Sequence, residues 1–114
     1  MAATFSGPSP LLAIFAVVAD GGGTTSFTPT RSLSVVDVTG YQTAAGGAGD
    51  TIRVDNNGNP VTNAISQNVA DTVVIRAATI DDAFFKVTAG PLQITTVAGA
   101  GSNACHLFIL CVPA

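Results

Sequence analysis

Short apolar runs recur along this chain, and in some of them apolar and polar residues alternate with a period of two. No long stretch carries the i, i+3, i+4, i+7 apolar spacing of an amphipathic helix. Val, Ile, Thr and Phe dominate the apolar runs, and Gly, Pro and Asn-Gly punctuate them. The pattern predicts an all-β protein of about eight short strands with little or no helix. The predicted strands are Leu11–Ala19, Ser32–Val38, Thr51–Asp55, Val61–Ile65, Thr72–Arg76, Ala83–Val87, Leu92–Val97 and Cys105–Val112. Short strands joined by regular turns read as an antiparallel β-sandwich of jelly-roll-like type.

The turns are well marked. Asp20-Gly21-Gly22-Gly23 ends the first strand, and Ala44 to Gly49 is an Ala/Gly loop. Asp55-Asn56-Asn57-Gly58-Asn59-Pro60 is the clearest hairpin signal, because Asn and Gly accept positive φ at low cost. Gly90-Pro91 and Ala98 to Asn103 close the set. Gly49–Val54, Ala70–Ile75 and Gly90–Ile94 resemble one another, since each has a small residue and a turn-former before a strand. Three such degenerate copies do not make a solenoid.

The alternation differs from strand to strand. Ile52 and Val54 share one face, with Thr51, Arg53 and Asp55 on the other, as in a strand with one wet side. In Ser32–Val38 the pattern slips: Leu33 and Val35 share a face, then Val36 and Val38 take the opposite one. A β-bulge there would restore both pairs to the core. Val61–Val69 also fits a helical stripe, but Thr62, Asn63, Ser66 and Asn68 are poor helix formers, so strand plus loop is the reading.

Two strands are apolar on both faces. Leu11–Ala19 has no polar residue at all. In the last strand Cys105, Leu107, Ile109 and Cys111 line one side, and His106, Phe108, Leu110 and Val112 line the other. Such a strand is central under a covered face or lies in a subunit interface, and we favour the interface. Its expected contact residues are Leu12, Ile14, Phe15, Val17, Phe108 and Leu110.

Composition sharpens this. With 114 residues the chain has room for one domain, expected over residues 11–114, with residues 1–10 as an uncharged, Pro- and Gly-containing arm that orders on a neighbour. Charged residues are 10%, against about 25% in typical soluble domains. Glu and Trp are absent, and the cations are Arg31, Arg53, Arg76 and Lys86. Mean hydropathy is +0.50, yet the longest apolar run is the nine residues Leu11–Ala19, short of the ~20 a spanning helix needs. That run also lacks a basic leader, and Gly7, Pro8 and Pro10 precede it, so no signal peptide is expected. An exterior this poor in charge suits burial against other subunits. A net charge of −3 with scattered cations excludes a basic nucleic-acid footprint.

Candidate chemistry is thin. Cys105 and Cys111 lie six apart on one predicted strand; at ~3.3 Å per residue they stand ~20 Å apart, out of disulfide reach. Buried, reduced thiols are expected. His106 neighbours Cys105 but points to the other face, which argues against a Cys–His dyad, and one His with two separated Cys does not make a zinc site. All seven carboxylates are Asp, and Asp20, Asp50, Asp55, Asp71, Asp81 and Asp82 sit at turns, where Asp bonds nearby N–H groups. Asp55–Asn59 lacks the later oxygens and closing Glu of a calcium loop. The Gly-rich stretches lack the Lys-Ser/Thr of a phosphate loop. Hence no enzyme, no metal and no cofactor is expected.

The run Ile80-Asp81-Asp82-Ala83-Phe84-Phe85-Lys86-Val87-Thr88-Ala89-Gly90-Pro91-Leu92-Gln93-Ile94, followed by Cys105–Val112 and the ending Val112-Pro113-Ala114, resembles small jelly-roll cement or decoration proteins of tailed-phage heads. The Ala/Gly/Thr-rich, Glu-poor composition resembles that group too, and the likeness covers about half the chain, from Thr51 onward. It implies a homotrimer or other oligomer in the virion, assembled in the host cytoplasm. There it would sit on the lattice of the major capsid protein and clamp neighbouring capsomers. It implies no catalytic residues. The acidic exterior common on outward-facing decoration proteins is missing, which leaves room for a buried, cementing position. Two alternatives stay open. One is a carbohydrate- or receptor-binding module of a virion fibre, supported by Tyr41 and Asp55–Asn59; the other is a self-assembling shell subunit.

Overall fold

The computed structural model describes residues 12–88 and 90–114; the expected arm, residues 1–10, lies outside the described residues. There is no helix among the described residues. Ten strands among the described residues run in the order β1 (Leu12–Val18), β2 (Gly23–Phe27), β3 (Leu33–Gln42), β4 (Thr51–Asn56), β5 (Asn59–Pro60), β6 (Ile65–Ser66), β7 (Val74–Arg76), β8 (Lys86–Val87), β9 (Leu92–Val97) and β10 (Cys105–Pro113). They form two antiparallel sheets packed as a sandwich. The first has the order β1-β10-β3-β7, with β8 also on β3; the second has the order β2-β9-β4-β5, with β6 also on β4.

The pairing is nested. β1 pairs with β10, β2 with β9, β3 with β7 and β8, and β4 with β5 and β6. The chain is thus one long antiparallel ribbon whose successive pairs fall in alternate sheets, which is the jelly-roll-like order. The ribbon turns back at Asn57-Gly58, where φ is 49° and 87°. Positive φ at both central residues is the two-residue turn whose twist matches the flanking strands, and it joins Asn56 directly to Asn59.

The core lies between the sheets. From the first sheet come Leu33, Val35, Val38, Ile75, Val87, Cys105, Leu107, Ile109 and Cys111; from the second come Ile52, Val54, Ile65 and Leu92. Leu12, Ile14, Ala16 and Val18 of β1 pack against its margin. The expected bulge is present. Leu110 faces Asp37 while Cys111 faces Val35, so Val36 is the extra residue. Val35 and Val38 both become buried, but Val36 does not join them: it bears the extra residue's unpaired position and stays 48% exposed.

Other departures have local causes. Val61–Ile65 is not a strand. Pro60 has no N–H to extend the ladder, the Thr62 hydroxyl accepts from Val54 N at 3.1 Å, and Asn63 Oδ1 accepts from Ala78 N at 2.9 Å. Val61 and Ile65 are still buried, delivered by a loop and the short β6. Ala83–Val87 shrinks to Lys86–Val87 because Asp81 Oδ1 accepts from Ala83 N and Phe84 N at 2.7 and 3.0 Å and holds that segment in a turn. Thr72 has a φ of 61°, so the next strand starts only at Val74. Strand β2 was not predicted: all five of its residues are exposed, and only its pairing with β9 defines it.

Two predictions follow from this core. Ile109→Ala removes fully buried atoms between the sheets and is expected to lower the unfolding free energy by about 2–5 kcal/mol, read from the denaturant midpoint at constant slope. Burial pushes the Cys105 thiol up to about 11 and raises Cys111 as well. A thiol reagent in mildly alkaline buffer should therefore modify neither cysteine in the native protein and both in denaturant.

Candidate interaction surface

The two sheets present opposite chemistry to their surroundings. On the outer face of the second sheet, register places Thr24, Thr95 and Arg53 in one row and Ser26, Gln93 and Asp55 in the next. These groups bond one another. Arg53 Nε and Nη2 donate to Asp55 at 2.6 and 3.2 Å, and Thr95 Oγ1 donates to the same carboxylate at 2.8 Å. Asp55, expected on a wet face, is thereby buried at 3% exposure beneath Arg53 and Thr95. Gln93 reaches Ser26 Oγ and Gly58 N. Apart from Val97, 56% exposed at the end of the Thr95 and Gln93 column, such a face satisfies its polar groups within itself.

The outer face of the first sheet is apolar. Val17, His106, Tyr41 and Val74 form one row across β1, β10, β3 and β7. The next row is Phe15, Phe108, Thr39 and Arg76, and the third is Ala13, Leu110 and Asp37. Val17 is 71% exposed, Val74 67% and Phe15 51%. The aromatic groups touch: Phe15 and Phe108 have ring centroids 5.0 Å apart, and Phe15 meets the His106 ring edge-on at 5.3 Å. Tyr41 Oη lies 2.7 Å from His106 Nδ1, which satisfies both polar tips within the apolar strip. The described charges of this face sit at its flank, where Arg76 bonds Asp37 through Nη2 at 3.0 Å and Nε at 3.2 Å.

The six expected contact residues divide across the sheet. Phe15, Val17, Phe108 and Leu110 share the outer face, where the structure brings them together. Leu12 and Ile14 point inward and pack on the core margin. Tyr41 and Val74 lie on the same outer face and were not among the expected residues, as their place depends on the register of β3 against β10 and β7, which local alternation does not carry.

A second cluster closes one end of the sandwich. Asp50 Oδ2 accepts from Gly47 N and Gly101 N at 2.8 and 2.7 Å, and Oδ1 accepts from Gly99 N at 2.6 Å. Beside it, Gln67 Nε2 donates to Gln42 Oε1 at 2.9 Å and Asn103 Nδ2 to Gln67 Oε1 at 2.8 Å, all three residues being fully buried. Gly101 packs so closely on Gly47 that a Cβ would strike backbone. This is a polar plug joining the Ala44–Asp50 and Ala98–Asn103 loops. Both carboxylate oxygens of Asp50 are thus engaged by backbone N–H groups in a buried setting.

Burial alone would raise the Asp50 pKa, but the N–H groups of Gly99, Gly47 and Gly101 outweigh it and hold the carboxyl below its ordinary 3.8. A depressed folded-state pKa contributes stability above the unfolded value, and that stability is lost as pH falls through the folded one. The melting temperature of the protein should therefore drop below about pH 4. Asp50→Asn, which points an NH₂ at N–H donors, should melt lower than Asp82→Asn at neutral pH and lose part of that acid slope.

Compared with known proteins, the chain matches no protein-family model, no curated protein and no solved structure.

Proposed function

We propose that this chain is a structural, non-catalytic virion protein: a capsid cement or decoration subunit that associates with copies of itself and with the major capsid protein through the outer face of the β1-β10-β3-β7 sheet. The observation that carries the reading is the contrast between the two outer faces of one sandwich. The second sheet spends its polar side chains on one another and on water. The first exposes Phe15, Val17 and Val74, with the half-buried Phe108 and Leu110 between them and its ion pair at the flank.

Apolar area taken out of water contributes roughly 25 cal/mol per Å², so a few hundred Å² per contact is enough to offset the cost of association when many copies act together. The jelly-roll-like strand order and the composition resembling phage-head cement proteins support the virion setting. The fibre-module alternative gains little: Tyr41 is engaged with His106 on one sheet, and the Asn57-Gly58 turn lies at the tip of a hairpin in the other.

The test is sedimentation of the purified chain and its variants. Val74→Lys/Leu110→Lys places two charges on the apolar face and should dissociate the wild-type oligomer while keeping its circular dichroism. Thr24→Lys on the polar sheet should change nothing. A wild-type monomer at high concentration overturns the associative reading. Absence of the chain from purified virus particles of its natural source overturns the virion setting.

A further inference from the structure

Strand β1 is the edge of the first sheet among the described residues, and it carries none of the features that keep an edge unpaired. Natural edges are blunted by charge, proline, bulges or shortness. Leu12-Ala13-Ile14-Phe15-Ala16-Val17-Val18 has no charge, no Pro and no Gly, and its seven residues run in unbroken register along β10. β10 itself has no charged residue, so ionic repulsion is absent for two strands inward from the edge. The other edge strand on this side, β2, is shorter and polar.

We propose that β1 pairs antiparallel with β1 of a second copy, about a two-fold axis at Phe15, so that the two first sheets become one continuous sheet. A two-fold contact must match itself, and this strand does. Side chains alternate across a strand, so pairing that keeps the core faces together must set odd positions against odd ones. Among such registers, the one centred on Phe15 is the one that uses all seven residues: Leu12 faces Val18, Ala13 faces Val17 and Ile14 faces Ala16. No like charges meet.

On the outer face the Phe108–Phe15 contact then continues into the second copy's Phe15 and Phe108 as a four-ring row across the joint. On the inner side, a groove of about 170 Å³ opens between the β1 and β2 edges, lined by Ile14, Ala16, Phe27, Leu92 and Ile94. The incoming strand's inward Ile14 and Ala16 would lie over it. This pairing uses the strand edge rather than the outer face, so it stands apart from the virion reading. A trimer that also pairs this way becomes a hexamer.

Cross-linking with a short thiol reagent tests the register. In the proposed pairing the two Phe15 Cβ atoms lie ~5 Å apart, whereas the two Val17 positions are offset by four residues, ~13 Å. Phe15→Cys should therefore give covalent dimer, Val17→Cys alone should give little, and Ala13→Cys/Val17→Cys should restore it. Hydrogen exchange on the unmodified chain gives the backbone readout: β1 amides should gain protection as concentration rises. Adding Leu110→Lys to Phe15→Cys separates the two proposals: cross-linking that survives while larger assemblies dissolve supports both. Equal cross-linking at positions 15 and 17, no cross-linking at 15, or free exchange at every concentration of the β1 amides that point away from β10 would overturn the pairing.

Discussion

In β10 every second side chain enters the core, and apart from His106 the side chains between them are just as apolar. Cys105, Leu107, Ile109 and Cys111 close the sandwich from within, while Phe108, Leu110 and Val112 point the other way. A strand in one sheet has two faces, and only one of them can look at the opposite sheet. The rest of the surface follows from that constraint. β3 and β1 flank β10 and line their outward Tyr41, Phe15 and Val17 up with it, which turns one apolar strand into an apolar face. The second sheet has no such strand, so apart from Val97 its exterior is free to be Thr, Ser, Gln and a closed Arg53–Asp55 pair.

The nested pairing explains how so charge-poor a chain holds two sheets in one register. The Asn57-Gly58 turn starts the ribbon, and the bulge at Val36 re-phases β3 so that Leu33, Val35 and Val38 all reach the core. At the other end the Asp50 carboxylate gathers three N–H groups from two loops. The Gln42–Gln67–Asn103 network ties β3 to the loops beside it. Buried polar groups are costly unless bonded, so this plug tolerates few alternative arrangements of the loops it joins. It fixes the sandwich end by bonding, where the interior fixes it by packing.

Much of this was legible in the chain because strands advertise themselves by alternation. Leu92–Val97 and the doubly apolar Cys105–Val112 are read from sequence almost to the residue, as are the Asn-Gly hairpin and the bulge. Illegible were the elements whose shape comes from long-range partners. Gly23–Phe27 has no apolar face and is a strand only because β9 lies beside it. Val61–Ile65 has the apolar residues of a strand, yet Thr62 and Asn63 use their side chains to replace its ladder. The candidate face was half visible for the same reason. Doubly apolar strands mark Phe15, Val17, Phe108 and Leu110, but parity within Leu11–Ala19 does not say which half of the strand is inside, and Leu12 and Ile14 turn out to be the inner half.

An apolar face and an unprotected edge on one sheet impose different geometry on whatever meets them. The face is broad and no backbone hydrogen-bonding groups project out of it, so area and shape govern what it accepts and many partners can fit it. The edge presents N–H and C=O groups at fixed spacing, and it accepts a strand in one direction and one register. A subunit with both can fix its relation to one neighbour through the edge and still leave the face to a lattice. The polar second sheet then faces water by default, since it is the side that already satisfies itself. The ion pairs among the described residues, Arg53–Asp55 and Arg76–Asp37, lie away from both the β1 edge and the centre of the apolar strip.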